Sequence, residues 1–255
     1  MNRITDHFQQ LRSLFKKIDC KVRRRNIWYV IKRQRCDILD KVPPTDPLEP
    51  LWVDPNNVTK HSPVRFERHK YVGSTLSGDW DDPDQSKADL IEKHGNNIEQ
   101  TPLFTCFCEH FKQNVAWTDT EFVQKQLEIV AHNGVGWYGK CRTEEEIHEY
   151  CQYLDGLYNC LSESGLNQQP SVNSSLYNLI FGDYLHGVTI NINRNGMFLF
   201  NGDGRHRLCL SKVLDLDKIP VYVIVRHTIW QNKRAKYHKN REKYDGNISN
   251  HPDIH

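Results

Sequence analysis

The chain has 255 residues, 38% of them apolar, with a mean hydropathy of −0.71 and a formal net charge of +2. That length holds one large domain or two small ones, and no run approaches the ~18 apolar residues of a membrane span. No signal-peptide-like apolar core stands near the N-terminus, so the expected address is cytoplasmic. Charge is unevenly spread: residues 12–35 carry ten Lys or Arg against Asp19 alone, leaving the remainder of the chain net acidic.

In chain order, Phe8, Leu11, Leu14, Phe15 and Ile18 recur at helical spacing and predict an amphipathic helix over 5–18. With the basic run that follows, residues 1–41 read as a basic N-terminal arm. Three readings of 12–35 stay open: an anionic membrane surface as partner, nucleic acid as partner, or a solvated helix packed on the body. Residues 42–50 hold four prolines and read as a linker. The main domain is then expected over 51–230, with 231–255 as a polar tail.

Leu51-Trp52-Val53 predicts a short strand ending at Asp54-Pro55. Residues 61–84 alternate poorly and end in an acidic loop holding Asp79, Asp81, Asp82 and Asp84. Those carboxylates suit a hard cation, with a solvated loop as the plainer account. Aromatic and aliphatic residues recur at helical spacing from about 100 to 132, until Gly134, Gly136 and Gly139 break the run. Thr143-Glu144-Glu145-Glu146 supplies a cap with a carboxylate three residues on, so a helix is expected from there to Gly165. Trp80, Trp117 and Trp137 sit among polar or glycine residues and suit either core packing or a stacking surface for a base or sugar.

The last third is the clearest. Val188-Thr189-Ile190-Asn191-Ile192 alternates like a half-buried strand, Asn195-Gly196 marks a turn, and Met197-Phe198-Leu199-Phe200 returns as a second strand. Leu208 to Leu214 reads as a helix, and Ile219 to Val225 as a buried strand. The eight cysteines form no C-x-x-C pair and read as reduced, mostly buried thiols.

Gly202-Asp203-Gly204-Arg205-His206-Arg207 joins the second strand to the helix. Glycines permit close approach to the main chain, and the start of a helix offers unpaired N–H groups with partial positive charge. Arg205 and Arg207 add guanidinium forks suited to phosphate oxygens. Together Gly202, Gly204, Arg205, His206 and Arg207 predict a phosphate cradle. Asp203 suits a metal ligand or a hydroxyl-orienting catalytic group, or else a helix N-cap. His206 and His227 suit acid–base roles, since histidine titrates near neutral pH.

Helix ending at Ser164-Gly165, strand, Asn-Gly turn, strand, Gly-x-x-Arg helix, Ile219-Pro220 strand: this order resembles the ParB/sulfiredoxin-like superfamily. The likeness covers 147–227 and, loosely, 51–58, which makes 60–140 a large helical and aromatic insertion. It implies an α+β fold with a ParB/sulfiredoxin-like core, in which Gly204 and Arg207 match the turn that holds nucleotide phosphates. Arg205 stands where sulfiredoxins carry their catalytic cysteine, and the residues after Val225 are too few for the helix-turn-helix module of partition proteins. The stand-alone members remain, some of them small-molecule kinases. The implied ligands are a nucleoside triphosphate (ATP or CTP) with Mg²⁺ at Asp203, Asp79 and Asp81, plus a small acceptor. The alternative is a ParB-like nucleic-acid-binding module or nuclease.

Overall fold

The computed structural model describes residues 49–84, 95–164, 187–239 and 250–254. The basic arm, most of the proline-rich linker and the glycine expected to end the 144–164 helix lie outside them. Six strands form one mixed sheet: β1 Leu51–Val53, β2 Lys60–His61, β3 Ser74–Leu76, β4 Val188–Ile192, β5 Phe198–Phe200 and β6 Ile219–His227. Helices are α1 Arg68–Tyr71, α2 Pro102–Gln113, α3 Glu121–Asn133, α4 Glu144–Ser164, α5 Arg205–Val213 and α6 Thr228–Lys239. The arrangement is α+β.

The order of the sheet follows from burial. β6 is the longest strand, buried at every residue but Pro220, and lies inside the sheet, parallel to β4 along one edge. Its other edge takes antiparallel β1 over 219–221 and parallel β3 over 225–227. β5 returns antiparallel to β4 through the Arg194-Asn195-Gly196 turn, and β2 adds parallel to β5. A bulge in β6 opposite Ile190 and Asn191 lets Ile224 and Val225 both face the cluster of Phe66, Val72 and Trp80. Val221 and Val223 face the larger core with the long helices.

The structure revises three sequence-based expectations. Thr189 and Asn191 in β4 are fully buried rather than facing water, because both strand faces are covered; Thr189 Oγ1 and Asn191 Nδ2 are hydrogen-bonded internally. The stretch 60–84 belongs to the sheet, supplying β2 and β3, and Ile98, Leu103, Phe107, Phe122, Val123 and Trp137 join the same core as β4 and β6. The described parts of 60–140 thus pack with the sheet and the main core. The apolar run over 100–132 is two helices: Asn114 turns left-handed at φ 58°, and Thr101 and Thr120 each cap a helix by accepting from a backbone N–H.

Thr143 caps α4 as its spacing predicts, its hydroxyl accepting from Glu146 N at 3.2 Å, while the Glu146 carboxylate accepts from Arg142 N. The six cysteines among the described residues are free thiols, and Cys106, Cys141, Cys151 and Cys209 are buried.

The polar tail is anchored. Asp253 is buried and accepts from Arg226 Nε at 3.0 Å and Trp230 Nε1 at 2.8 Å, with Arg234 Nε 3.2 Å away. Burial pushes its carboxyl up, but the charge and hydrogen bonds of Arg226, then the charge of Arg234, hold it below the usual carboxylate range. The sign follows: this stabilisation is present at any pH above the unfolded carboxylate's ~4 and is lost only as pH falls below that. Asp253→Asn leaves two buried guanidinium groups without their counter-charge, so urea denaturation at pH 7 is expected to show a loss of about 3 kcal/mol. A loss within 0.5 kcal/mol, the usual surface range, would mean that the tail is not held by this charge.

Candidate functional site

The 202–207 turn is held from both sides. Asp203 N donates to Thr189 Oγ1 at 3.3 Å, and Thr189 N donates back to Asp203 O at 3.0 Å, extending the β4–β5 pairing past the end of β5. Gly204 sits at φ +81°, and a Cβ there would lie 2.7 Å from Val188 Cα and 2.8 Å from Gly187 O. Only glycine combines that backbone angle with that approach. Gly204 is also the residue before α5, which opens with no side-chain cap. Asp203 is therefore not the N-cap that its position suggests.

The Asp203 carboxylate is turned toward another segment. Its Oδ1 accepts from Arg65 Nη2 at 2.6 Å, and its Oδ2 lies 3.6 Å from Arg68 Nε. A buried network brings that segment in. Asn201 Oδ1 accepts from Phe66 N, and Asn201 Nδ2 donates to Phe66 O, both at 2.9 Å, so the side chain acts as a short stretch of strand. Asn191 Nδ2 ties the network to Asn201 Oδ1 and Ser62 Oγ. Arg68 donates to Gly187 O at 2.9 Å, beside the Gly204 contact.

Residues 208–213 of α5 are all buried, so its first turn is where the helix meets the surface. There the loop between α3 and α4 joins it. Gly134, Trp137, Tyr138 and Gly139 all have positive φ, at 71°, 46°, 57° and 87°. Two of these are large aromatic residues, for which such angles are costly and persist only when surrounding contacts fix them. The contacts are specific: Trp137 N donates to Gln126 Oε1 at 2.7 Å, and its buried indole N–H donates to His206 Nε2 at 3.2 Å. The loop also brings Tyr138 to Arg205, whose guanidinium carbon lies 5.2 Å from the ring centroid. Lys140 bonds the Tyr150 hydroxyl and lies 4.7 Å from that ring's centroid.

Three cations act on His206 here. Burial pushes His206 down to about 3, and the positive charges of Lys140, Arg205 and Arg207 all add to the effect. Lys140 is lowered by burial, with Arg207 adding to it. Burial and then Arg205 push His61 down to about 4. Lys140, Arg205 and Arg207 are thus all near enough to act on His206, and the same positive field would attract an anion.

Of the residues picked out in the sequence, Gly202, Gly204, Arg205, His206 and Arg207 share this corner with Asp203. The expected acid–base role of His206 does not fit its surroundings. Its Nε2 lone pair accepts from Trp137, and its proton affinity is too low for transfer near pH 7. It acts as a neutral strut between α5 and the loop. Asp79 and Asp81 are engaged by Arg194: Nη2 donates to Asp79 Oδ1 at 2.8 Å, and Asp81 Oδ2 accepts from Arg194 N at 2.9 Å. With the Asp81 side chain buried, both act as clamps on the β4–β5 turn rather than metal ligands. Among the described residues, no group of three or more His, Cys, Asp or Glu side chains is placed to hold a metal ion. His227 donates through Nε2 to Gly78 O and accepts at Nδ1 from Ile229 N, a structural role. Trp80 and Trp137 are core residues.

Sequence reasoning passed over Arg65, Arg68, Tyr138, Lys140 and Tyr150. The clustered Gly134, Gly136 and Gly139 were the available signal, since glycines around two aromatics mark a loop with unusual backbone angles.

His61 and His206 are both lowered from the ordinary 6.5. The unfolded chain therefore takes up protons that the folded chain refuses. Stability is fullest above pH 7 and falls as pH drops through 6.5, down to about 4 for His61 and about 3 for His206. From pH 7 to pH 5 each histidine is expected to cost about 2 kcal/mol. His251 is also lowered by burial and adds to this dependence. In urea titrations at both pH values, His206→Asn should remove about 2 kcal/mol of it, and a wild-type stability that is flat over this range would contradict the assignment.

Compared with protein-family models, curated proteins and solved structures, the chain matches none of them.

Proposed function

We propose that the chain binds the phosphates of a nucleoside triphosphate at the 202–207 turn and transfers the terminal phosphoryl group to a small acceptor or to water. One observation carries the reading: Lys140, Arg205 and Arg207 gather around His206 at the uncapped first turn of α5, next to Gly204, whose backbone lies closer to β4 than a side chain would allow. Phosphate oxygens accept from the opening N–H groups of α5 and from the two guanidinium forks, while the helix end adds its partial positive charge. The order α4, β4, β5, α5, β6, with the glycine turn between β5 and α5, is in keeping with the ParB/sulfiredoxin resemblance.

In the transfer, the hydroxyl or water oxygen of the acceptor attacks the γ-phosphorus and gives up its proton to a phosphate oxygen or to solvent, while the bond to the β–γ bridging oxygen breaks and a nucleoside diphosphate leaves with the electron pair. The protein's share is to position the phosphates and to offset the negative charge on the leaving oxygens, the main source of catalysis in this chemistry. Mg²⁺ has no cage among the described residues; it would come bound to the phosphates, as it commonly does. Asp203 is the carboxylate at the turn, and Arg65 and Arg68 hold it aligned beside the cradle.

Thermal unfolding with ATP, CTP, GTP or ADP, each with and without Mg²⁺, tests the reading. A nucleotide at ~100 times its dissociation constant stabilises the native state by about 2.7 kcal/mol, which raises the midpoint visibly. At least one nucleotide should raise the wild-type midpoint, and Arg207→Ala should keep its unliganded midpoint but lose that rise. No shift with any nucleotide contradicts the proposal. Binding of single-stranded nucleic acid that weakens steeply with salt would favour the nucleic-acid reading instead.

A further inference from the structure

Tyr138 has no role in the account so far, and it is the large aromatic residue least easily explained by packing. Its neighbour Trp137 is fully buried, whereas Tyr138 keeps 47% of its surface exposed. Both occupy left-handed backbone positions, which burial of the indole accounts for at Trp137 only. The phenol ring meets the guanidinium of Arg205, whose carbon lies 5.2 Å from the ring centroid. Two residues on, Lys140 is held by Tyr150 next to Arg207. A half-exposed ring joined to an arginine, with a lysine and a second arginine alongside, pairs an aromatic platform with a cluster of cations.

We propose that Tyr138 stacks the base of the bound nucleotide and that Lys140 is a further phosphate ligand, so that the 134–141 loop selects nucleotides over bare polyphosphates. The proposal rests on phosphate binding at the 202–207 turn and adds the part of the ligand that this turn does not read. Arg205 is the link, since it touches the Tyr138 ring while rising from the first turn of α5. Stacking on an aromatic side chain accepts any base, so the platform distinguishes nucleotides from other phosphates rather than one base from another.

Calorimetric titration of the whole chain with ATP, CTP, inorganic tripolyphosphate and a sugar monophosphate, in the presence of Mg²⁺, tests this. At least one nucleotide should bind at least about tenfold more tightly than tripolyphosphate. Tyr138→Asn should remove that advantage and leave tripolyphosphate affinity unchanged; asparagine tolerates the left-handed backbone, so the fold is kept. Tyr138→Phe should retain the advantage, and Lys140→Met should weaken nucleotide and tripolyphosphate alike. An advantage that survives Tyr138→Asn overturns the proposal, as does a wild type that prefers the sugar phosphate. Tripolyphosphate binding without any nucleotide advantage overturns this inference alone. A wild type that binds neither tripolyphosphate nor nucleotide overturns the phosphate site and this inference together.

Discussion

At Gly204 the chain turns from β5 into α5 with its backbone pressed against Gly187 and Val188, closer than any side chain allows. Much of the surrounding geometry depends on this contact. It fixes the direction of α5 relative to β4, so that five consecutive residues of the helix, Cys209 to Val213, are buried and its first turn is left at the surface. It also leaves the N-terminus of α5 without a side-chain cap, with Asp203 directed outward to Arg65 and Arg68. The buried amides of Asn191 and Asn201 brace the arrangement by tying the 62–66 segment to the two strands.

Around that fixed turn the molecule gathers positive charge and keeps its own histidine neutral. Burial, reinforced by Lys140, Arg205 and Arg207, keeps His206 uncharged, and the indole of Trp137 occupies its Nε2. A neutral His206 spans the helix and the loop without adding to the repulsion. The energetic cost sits in the loop, where Trp137 and Tyr138 hold left-handed angles against Gln126, Arg205 and Phe122. Strain of this kind persists only where neighbouring contacts over-determine the backbone.

The legible parts of the fold were those with local signals. Asn195-Gly196, the Thr143-Glu146 capping pair, and the two glycines around Asp203 each act over a few residues, and each predicted its element correctly. What could not be read depends on distant partners. Nothing local in Arg65 or Arg68 announces Asp203, 138 residues away from Arg65 in sequence. The acidic run at 79–84 looked like a cation site because its counter-ion, Arg194, comes from another hairpin. Asn191 looked solvent-facing because alternation cannot reveal that the second face of a sheet is covered. His206 kept its place in the site but changed its role, since desolvation and three nearby cations are three-dimensional facts.

Hydrogen exchange of backbone amides, followed by mass spectrometry with and without nucleotide, tests the location of the site most directly. The account predicts slower exchange in peptides covering 202–208 and 137–141 when nucleotide is added, with peptides from α6 and the 77–84 loop unchanged. Arg207→Ala should abolish that protection while its exchange without nucleotide stays as in the wild type. Protection confined to other segments, or none at nucleotide concentrations that raise the unfolding midpoint, would contradict the placement of the phosphate site at the start of α5.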